Sequence, residues 1–224
     1  MKVFAIIPAG GTGKRIGTGI PKQYIQVNGK ELIAYTLEVF QNCSSVDEIA
    51  IAAQPEFFDL LNSIKEKYNI DKLHTIIEGG KERQNSVFNA LNNINASPDD
   101  LIAVHDAARP LLPVKTLENA INYAKENGNS VVAVKAKDTL VNYDNNLIKY
   151  IDRQKVYYIQ TPQIFSYNKL MLAMKKAEED KFAGTDESSL VERLEEKINI
   201  VEGSSLNFKV TTESDLELFR LINR

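Results

Sequence analysis

The chain has 224 residues, 43% hydrophobic and 25% charged, with a formal net charge of -3. That length supports one sizeable core, and the near balance of charge excludes bulk attraction to nucleic acid or to an anionic membrane. A single cysteine, Cys43, cannot form an internal disulfide, two histidines supply few soft metal ligands, and no apolar run is long enough to span a bilayer. With no signal-peptide pattern, the expected location is the cytoplasm.

Short apolar runs alternate with amphipathic stretches and predict an α/β fold with a mainly parallel sheet. The first strand is expected at Val3–Pro8. Directly after it stands Pro8-Ala-Gly-Gly-Thr-Gly-Lys-Arg15, with Pro21-Lys22-Gln23 a few residues later. Glycines let backbone N–H groups turn toward an anion and let a phosphate come close, and Lys14, Arg15 and Lys22 add local charge. The alternative is a tight strand-to-helix turn with solvated cations. Two familiar phosphate motifs fail at this loop. A dinucleotide fingerprint counted from Gly11 meets Ile16 where glycine is required, and the second strand runs into Gln54 rather than an acid. A Walker loop needs Ser or Thr after its lysine, but Arg15 follows Lys14. The loop therefore predicts phosphate binding without hydride transfer or ordinary ATPase chemistry.

Ile33, Leu37 and Phe40 share one helical face, and a second strand is expected at Glu48–Ala53 and a third at His74–Glu78. After that third strand, Glu78-Gly-Gly-Lys-Glu-Arg-Gln-Asn-Ser86 repeats the glycine arrangement. It opens a helix whose Val87, Leu91 and Ile94 lie on one face, and whose N-terminus can face an anion or a base. An ordinary turn is an equally good reading of that segment alone. The fourth strand, Leu101–His105, leads into Val104-His-Asp-Ala-Ala-Arg-Pro110. Ligands of open α/β sheets gather at the carboxyl ends of strands. Neighbouring strand residues point to opposite faces, so His105 and Asp106 should diverge. His105 is read as a packed core residue and Asp106 as the functional one, near phosphates or their magnesium.

A fifth strand is expected at Ser130–Ala136. The pattern then changes: Thr139–Tyr143 and Leu147–Ile151 flank Asp144-Asn145-Asn146 and predict a protruding hairpin. Either a partner subunit or the body of the same chain must cover its apolar residues, and the pattern leaves that choice open. Strands are expected near Lys197–Val201 and Asn207–Thr211. A final helix follows, with Thr212 and Asp215 at capping-box spacing ahead of Leu216, Phe219 and Ile222.

These segments, with Asp138-Thr139, Asp152-Arg153, Gln160-Thr161-Pro162-Gln163, Thr185-Asp186-Glu187 and Asn207-Phe-Lys209-Val-Thr211, form an ordered series from Ala5 to the last helix. The series resembles the methylerythritol phosphate cytidylyltransferases of the non-mevalonate isoprenoid pathway. The resemblance implies one nucleotidyltransferase domain over residues 1–224. Its fold would be Rossmann-like, a mainly parallel sheet with helices on both faces and a protruding β-hairpin dimerisation arm inserted at about 137–155. It implies a homodimer, Mg2+ as divalent cation, CTP and a polyol phosphate as substrates, and release of pyrophosphate. By resemblance, Arg15 and Lys22 stabilise the transition state. Ala9, Gly10, Gly11, Gly13, Gly80, Arg83, Ser86, Asp106 and Ala107 bind the nucleotide. Arg153, Lys209, Asp138, Thr139 and Thr185 position the second substrate. Mg2+ is expected mainly on triphosphate oxygens, near Asp106. Pro8-Ala9-Gly10-Gly11 stands where many members have Pro-Ala-Ala-Gly. The Gly-Gly form is also common in the sister family acting on ribitol phosphate. Ala107-Ala108 and Thr185-Asp186-Glu187 look more like the erythritol enzymes. A ribitol phosphate cytidylyltransferase and a non-catalytic nucleotide sensor are the competing readings.

The chemistry is compatible with this residue set. The attacking group is a phosphate monoester whose second pKa is about 6, so it is largely dianionic at neutral pH and needs no general base. The obstacle is repulsion between two anions, which cations and alignment address.

Overall fold

The computed structural model describes residues 1–11 and 19–223. In chain order the elements are β1 (Val3–Pro8), β2 (Gln26–Val27), β3 (Lys30–Glu31), α1 (Leu32–Asn42), β4 (Glu48–Ala53), α2 (Phe58–Lys67), β5 (Leu73–Glu78), α3 (Arg83–Asn93), β6 (Leu101–Val104), α4 (Val114–Asn127), β7 (Asn129–Lys135), β8 (Leu140–Asp144), β9 (Leu147–Ile151), β10 (Tyr157–Ser166), α5 (Tyr167–Glu179), α6 (Glu187–Glu192), β11 (Ile200–Glu202) and α7 (Glu213–Ile222).

Strand β1 is apolar along its length because both of its faces are covered. Val3, Ala5 and Ile7 enter one core with Ile33, Leu37 and Phe40 of α1, Leu61 and Ile64 of α2, and Leu117 and Ile121 of α4. Phe4 and Ile6 enter the other, against Val87 and Leu91 of α3, Leu170 and Met174 of α5, and Leu190 of α6. Each such buried aliphatic or aromatic side chain contributes about 1.5–3 kcal/mol relative to exposure. The sheet order is β11-β7-β10-β6-β1-β4-β5, and every pairing is parallel except those of β10 with β6 and β7. From β1 the chain runs outward through β4 and β5, then returns to place β6 on the other side of β1. The carboxyl ends of β1, β4 and β6 therefore border the crevice where the strand order reverses, the usual ligand position in open α/β sheets.

The local signals behave as the sequence predicts in most places. Helix α7 starts on a capping box, with the Thr212 side chain accepting from Asp215 N. Leu216 and Phe219 are buried as expected, whereas Ile222, in the last turn, is exposed. Three readings need correction. Strand β10 was unexpected; its register breaks between Ile159 and Gln163, which hides its alternation. Residues Asn207–Thr211 form no strand. They are held by single contacts such as Val210 N to Ala108 O, 2.8 Å, beyond the carboxyl end of β6. The β2–β3 hairpin was missed although Asn28-Gly29, at φ 53° and 77°, is a strong hairpin signal.

The predicted hairpin is present as a separate two-stranded sheet, β8 with β9. Asn145 and Asn146 form its turn at φ 48° and 62°. The sequence left two covers open, and the body of the same chain does not cover the hairpin: residues 141–151 are all exposed. Leu147 is 74% and Tyr150 75% exposed.

Candidate active site

After β1, the chain crosses the sheet edge as Ala9-Gly10-Gly11. Buried Gln23 donates from Nε2 to the carbonyls of Ala9 (2.5 Å) and Gly11 (3.0 Å), and Gln54 Nε2 donates to Gly10 O at 2.8 Å. These side-chain amides fix the loop's path and hold its carbonyl dipoles against the protein. Opposite lies the second glycine turn. Gly79 N donates to Ala53 O at 2.8 Å, Gly80 N to Ser86 Oγ at 3.0 Å, and Ser86 Oγ to Glu82 O at 3.1 Å. A Cβ on Gly10 would sit 3.2 Å from Ser86 Oγ, and one on Gly80 would collide with Asn85. Close approach of the two turns favours glycine at position 10, and the packing of the second turn against its own Asn85 requires it at position 80.

The third segment separates two neighbouring residues as the strand geometry predicts. His105 is fully buried against Phe40, its Nδ1 3.0 Å from Thr161 Oγ1 and its Nε2 3.2 Å from Arg109 O. Burial pushes its pKa down to about 4, so it is neutral at physiological pH. Asp106 faces the cavity instead. Among the described residues, three cations meet its carboxylate: Arg83 Nε at 3.0 Å, Lys209 Nζ at 2.9 Å and Arg109 Nε at 3.4 Å. Burial alone would raise the Asp106 pKa, but Arg83, Lys209 and Arg109 outweigh it and hold the group far below the usual carboxylate range. Arg83 in turn grips both oxygens of Glu187, NH1 to Oε1 at 2.6 Å and NH2 to Oε2 at 3.0 Å. Burial works against its charge, yet Glu187 and Asp106 raise its pKa further.

These parts enclose a cavity of about 470 Å³ lined by Ala9, Gly10, Gly11, Lys22, Gly80, Arg83, Ser86, Asp106, Ala107 and Lys209, together with Gln23 and Thr211. Lys22 Nζ donates to Val210 O at 2.7 Å. Ten of the residues expected from sequence thus meet in one place. Gly13 and Arg15 lie outside the described residues. Four others do not line this cavity. Asp138 borders a second, open cavity of about 1040 Å³ with Tyr157, Tyr158 and Gly203. Thr139 and Thr185 are exposed, and Arg153 sits at the base of the hairpin with NH1 donating to Lys137 O at 2.9 Å.

Sequence reasoning did not single out Gln23, Arg109 or Glu187. Gln23 stood beside Lys22, and Arg109 and Glu187 stood inside quoted motifs. A lone Glu at the start of a helix reads as a dipole-complementing surface acid, and only the fold reveals its burial. The site can hold a polyanion: two glycine turns give backbone close approach, and the cations exceed the carboxylates around Asp106.

The chain matches the description of the 2-C-methyl-D-erythritol 4-phosphate cytidylyltransferase family over residues 3–224. A 2-C-methyl-D-erythritol 4-phosphate cytidylyltransferase from Clostridium perfringens (strain SM101 / Type A) is 40% identical over 220 residues, covering 97% of this chain and 96% of the relative. The structure of the enzyme of that name from Francisella tularensis superposes with a TM-score of 0.84 at 33% identity, covering 99% of each chain. The 4-diphosphocytidyl-2C-methyl-D-erythritol synthase of Anaerococcus prevotii DSM 20548 gives a TM-score of 0.87 at 29% identity, covering 100% of this chain and 96% of that one.

Proposed function

The chain belongs to the 2-C-methyl-D-erythritol 4-phosphate cytidylyltransferase family, and from that premise we propose how its pocket performs the reaction. CMP passes from CTP to 2-C-methyl-D-erythritol 4-phosphate, with release of pyrophosphate, in isoprenoid precursor biosynthesis. The observation that carries the assignment of the site is the meeting of both glycine turns, Ser86, Lys22 and the cation-held Asp106 in one cavity.

In this reading Ala9, Gly10, Gly11, Gly13, Gly80 and Ser86 take the cytidine, and Ala107 and Asp106 flank the nucleotide. A monoester oxygen of the sugar phosphate forms a bond to the α-phosphorus of CTP while the bond to the bridging oxygen breaks. The attacking phosphate is already a dianion, and neutral, buried His105 is not needed as a base. Lys22 and Arg15 offset the charge that grows on the departing pyrophosphate. Lys209 and Arg153 hold the attacking phosphate in line, with Asp138, Thr139 and Thr185 as secondary contacts.

The donor set does not build a metal cage. Among the described residues no three His, Cys, Asp or Glu side chains gather, and Asp106 is already engaged by three cations. In this reading a divalent cation would be held mainly by triphosphate oxygens near Asp106, and when bound it would supply neutralisation of phosphate charge. The proposal further treats residues 1–224 as one domain with an arm insertion at about 137–155. Two copies join through those arms in the cytoplasm, with Arg153 serving the neighbouring site. Among the described residues no helix is long and apolar enough to cross a membrane.

The test is pyrophosphate release from CTP, UTP, ATP and GTP, each with methylerythritol phosphate and with ribitol phosphate. CTP should lead: the small pocket between the glycine turns fits purines poorly, and hydrogen bonds to the exocyclic amine of cytosine discriminate against uracil. Equal turnover with ATP would sink the base assignment, and faster turnover of ribitol phosphate would reassign the acceptor.

A further inference from the structure

Glu187 is buried, yet it does not line the nucleotide cavity. Its backbone is fixed before its side chain acts. Asp186 caps α6 by accepting from Ser189 N at 2.9 Å, Gln163 Nε2 on β10 donates to Asp186 Oδ2 at 2.9 Å, and Ser188 N donates to Gln163 Oε1 at 2.8 Å. From that anchor both Glu187 oxygens take the two terminal nitrogens of Arg83, leaving Arg83 Nε for Asp106 Oδ1. The guanidinium is a planar fork, and here its terminal nitrogens are turned onto protein. Arg83 borders the cavity, but its bidentate face is committed to Glu187 rather than offered to a phosphate.

We propose that Glu187 is a positioning and charge-balancing residue for the transfer reaction, acting through Arg83 on Asp106 and hence on Lys209; this rests on the functional reading above. The linked groups are three cations, Arg83, Arg109 and Lys209, and two carboxylates, Asp106 and Glu187, a surplus of one positive charge. A site that must bind a triphosphate and then release pyrophosphate is harmed by a larger surplus. Removing the charge of Glu187 doubles the surplus and frees one arm of Arg83. Anions then bind tighter, while Asp106 and Lys209 lose their fixed reference and pyrophosphate leaves more slowly. A residue that only staples α6 to α3 has the opposite signature, since its loss would loosen the pocket and weaken every ligand.

The measurement is pyrophosphate affinity by calorimetry, with CTP KM and kcat and thermal unfolding, for wild type, Glu187→Gln and Glu187→Asp. Glu187→Gln should bind pyrophosphate roughly three- to tenfold tighter, lower the KM for CTP, and cut kcat by about tenfold or more. Glu187→Asp keeps the charge but is too short for the bidentate grip; its pyrophosphate affinity should stay within about twofold of wild type while kcat falls. Adding Arg83→Gln to Glu187→Gln restores the original surplus and should return pyrophosphate affinity toward the wild-type value. Unchanged or weaker pyrophosphate binding in a folded Glu187→Gln protein overturns the proposal. So does tighter binding in Glu187→Asp, which remains decisive should Glu187→Gln fail to fold. A wild type that binds pyrophosphate but does not turn over CTP would strike the functional reading as well, whereas normal wild-type turnover beside an unresponsive Glu187→Gln strikes this inference alone.

Discussion

The cavity at the glycine turns and the β8–β9 arm treat their chemistry in opposite ways. Around Asp106 the charged groups are held by one another, with one cation in excess: Asp106 has Arg83, Arg109 and Lys209, and Arg83 has Glu187. On the arm, Val141, Tyr143, Ile148 and Tyr150 alternate onto one face of a two-stranded sheet and stay exposed. An isolated hairpin is marginal in water, and this one leaves apolar surface bare. Among the described residues the cavity's charged groups meet partners in their own chain, whereas the apolar face of the arm meets none. The residues expected to position the second substrate divide the same way: Lys209 is in the cavity, whereas Asp138, Thr139 and Arg153 are at or near the arm's base.

The largest expected effect tests the cavity side. Lys22→Ala should lower turnover by roughly a hundredfold or more, the scale for losing a charge contact to a transition state. The fold should persist, because Lys22 is only partly buried and its side chain lines the cavity. A soluble Lys22→Ala protein with near-normal kcat would break the assignment of the cavity as the reaction centre.

The arm side is sharpened by subunit mixing. If arms cross a two-fold axis, Arg153 serves the partner's site while Arg15 and Lys209 serve their own. Arg15→Ala and Arg153→Ala should each be inactive. After subunit exchange, random pairing makes about half the dimers mixed, and each mixed dimer has one site free of both lesions, so activity should recover to roughly a quarter of wild type. Mixed dimers verified by mass that stay inactive would mean that each chain completes its own site.

Legibility in the sequence followed the same division. Strands β1 and β4 were readable to the residue because continuous apolar runs between turn signals have few alternatives. The glycine turns and Asp106 were readable because they sit at strand ends. Strand β10 was not, because a register break and Pro162 interrupt its pattern. The partners Gln23 and Glu187 were not readable either. Gln23 acts by folding back on the carbonyls of Ala9 and Gly11, and Glu187 by a buried contact with Arg83, 104 residues away. A surface acid and a buried one are the same letter until the sheet brings α3 and α6 together.

The smallest effect concerns what each region rests on. Beneath the cavity lies His105, neutral and buried next to Asp106, with its pKa pushed down to about 4 from an ordinary value of 6.5. The arm has no comparable foundation, since residues 141–151 are exposed. A histidine whose folded pKa is depressed adds stability that is fully present above the unfolded pKa. That stability begins to fall as the pH drops through about 6.5, because the unfolded chain takes up the proton first, and the loss is complete below about 4. From pH 7.5 to 5.5 the cost should be about 1 kcal/mol. In thermal unfolding this appears as a downward shift of a few degrees for a chain of this size. Glutamine can still meet Thr161 Oγ1 and Arg109 O without titrating, so His105→Gln should flatten the pH dependence over that interval while retaining most stability at pH 7.5. An undiminished slope in the glutamine variant would show that acid sensitivity arises elsewhere, and that the cavity floor differs from the arm in burial but not in its response to protons.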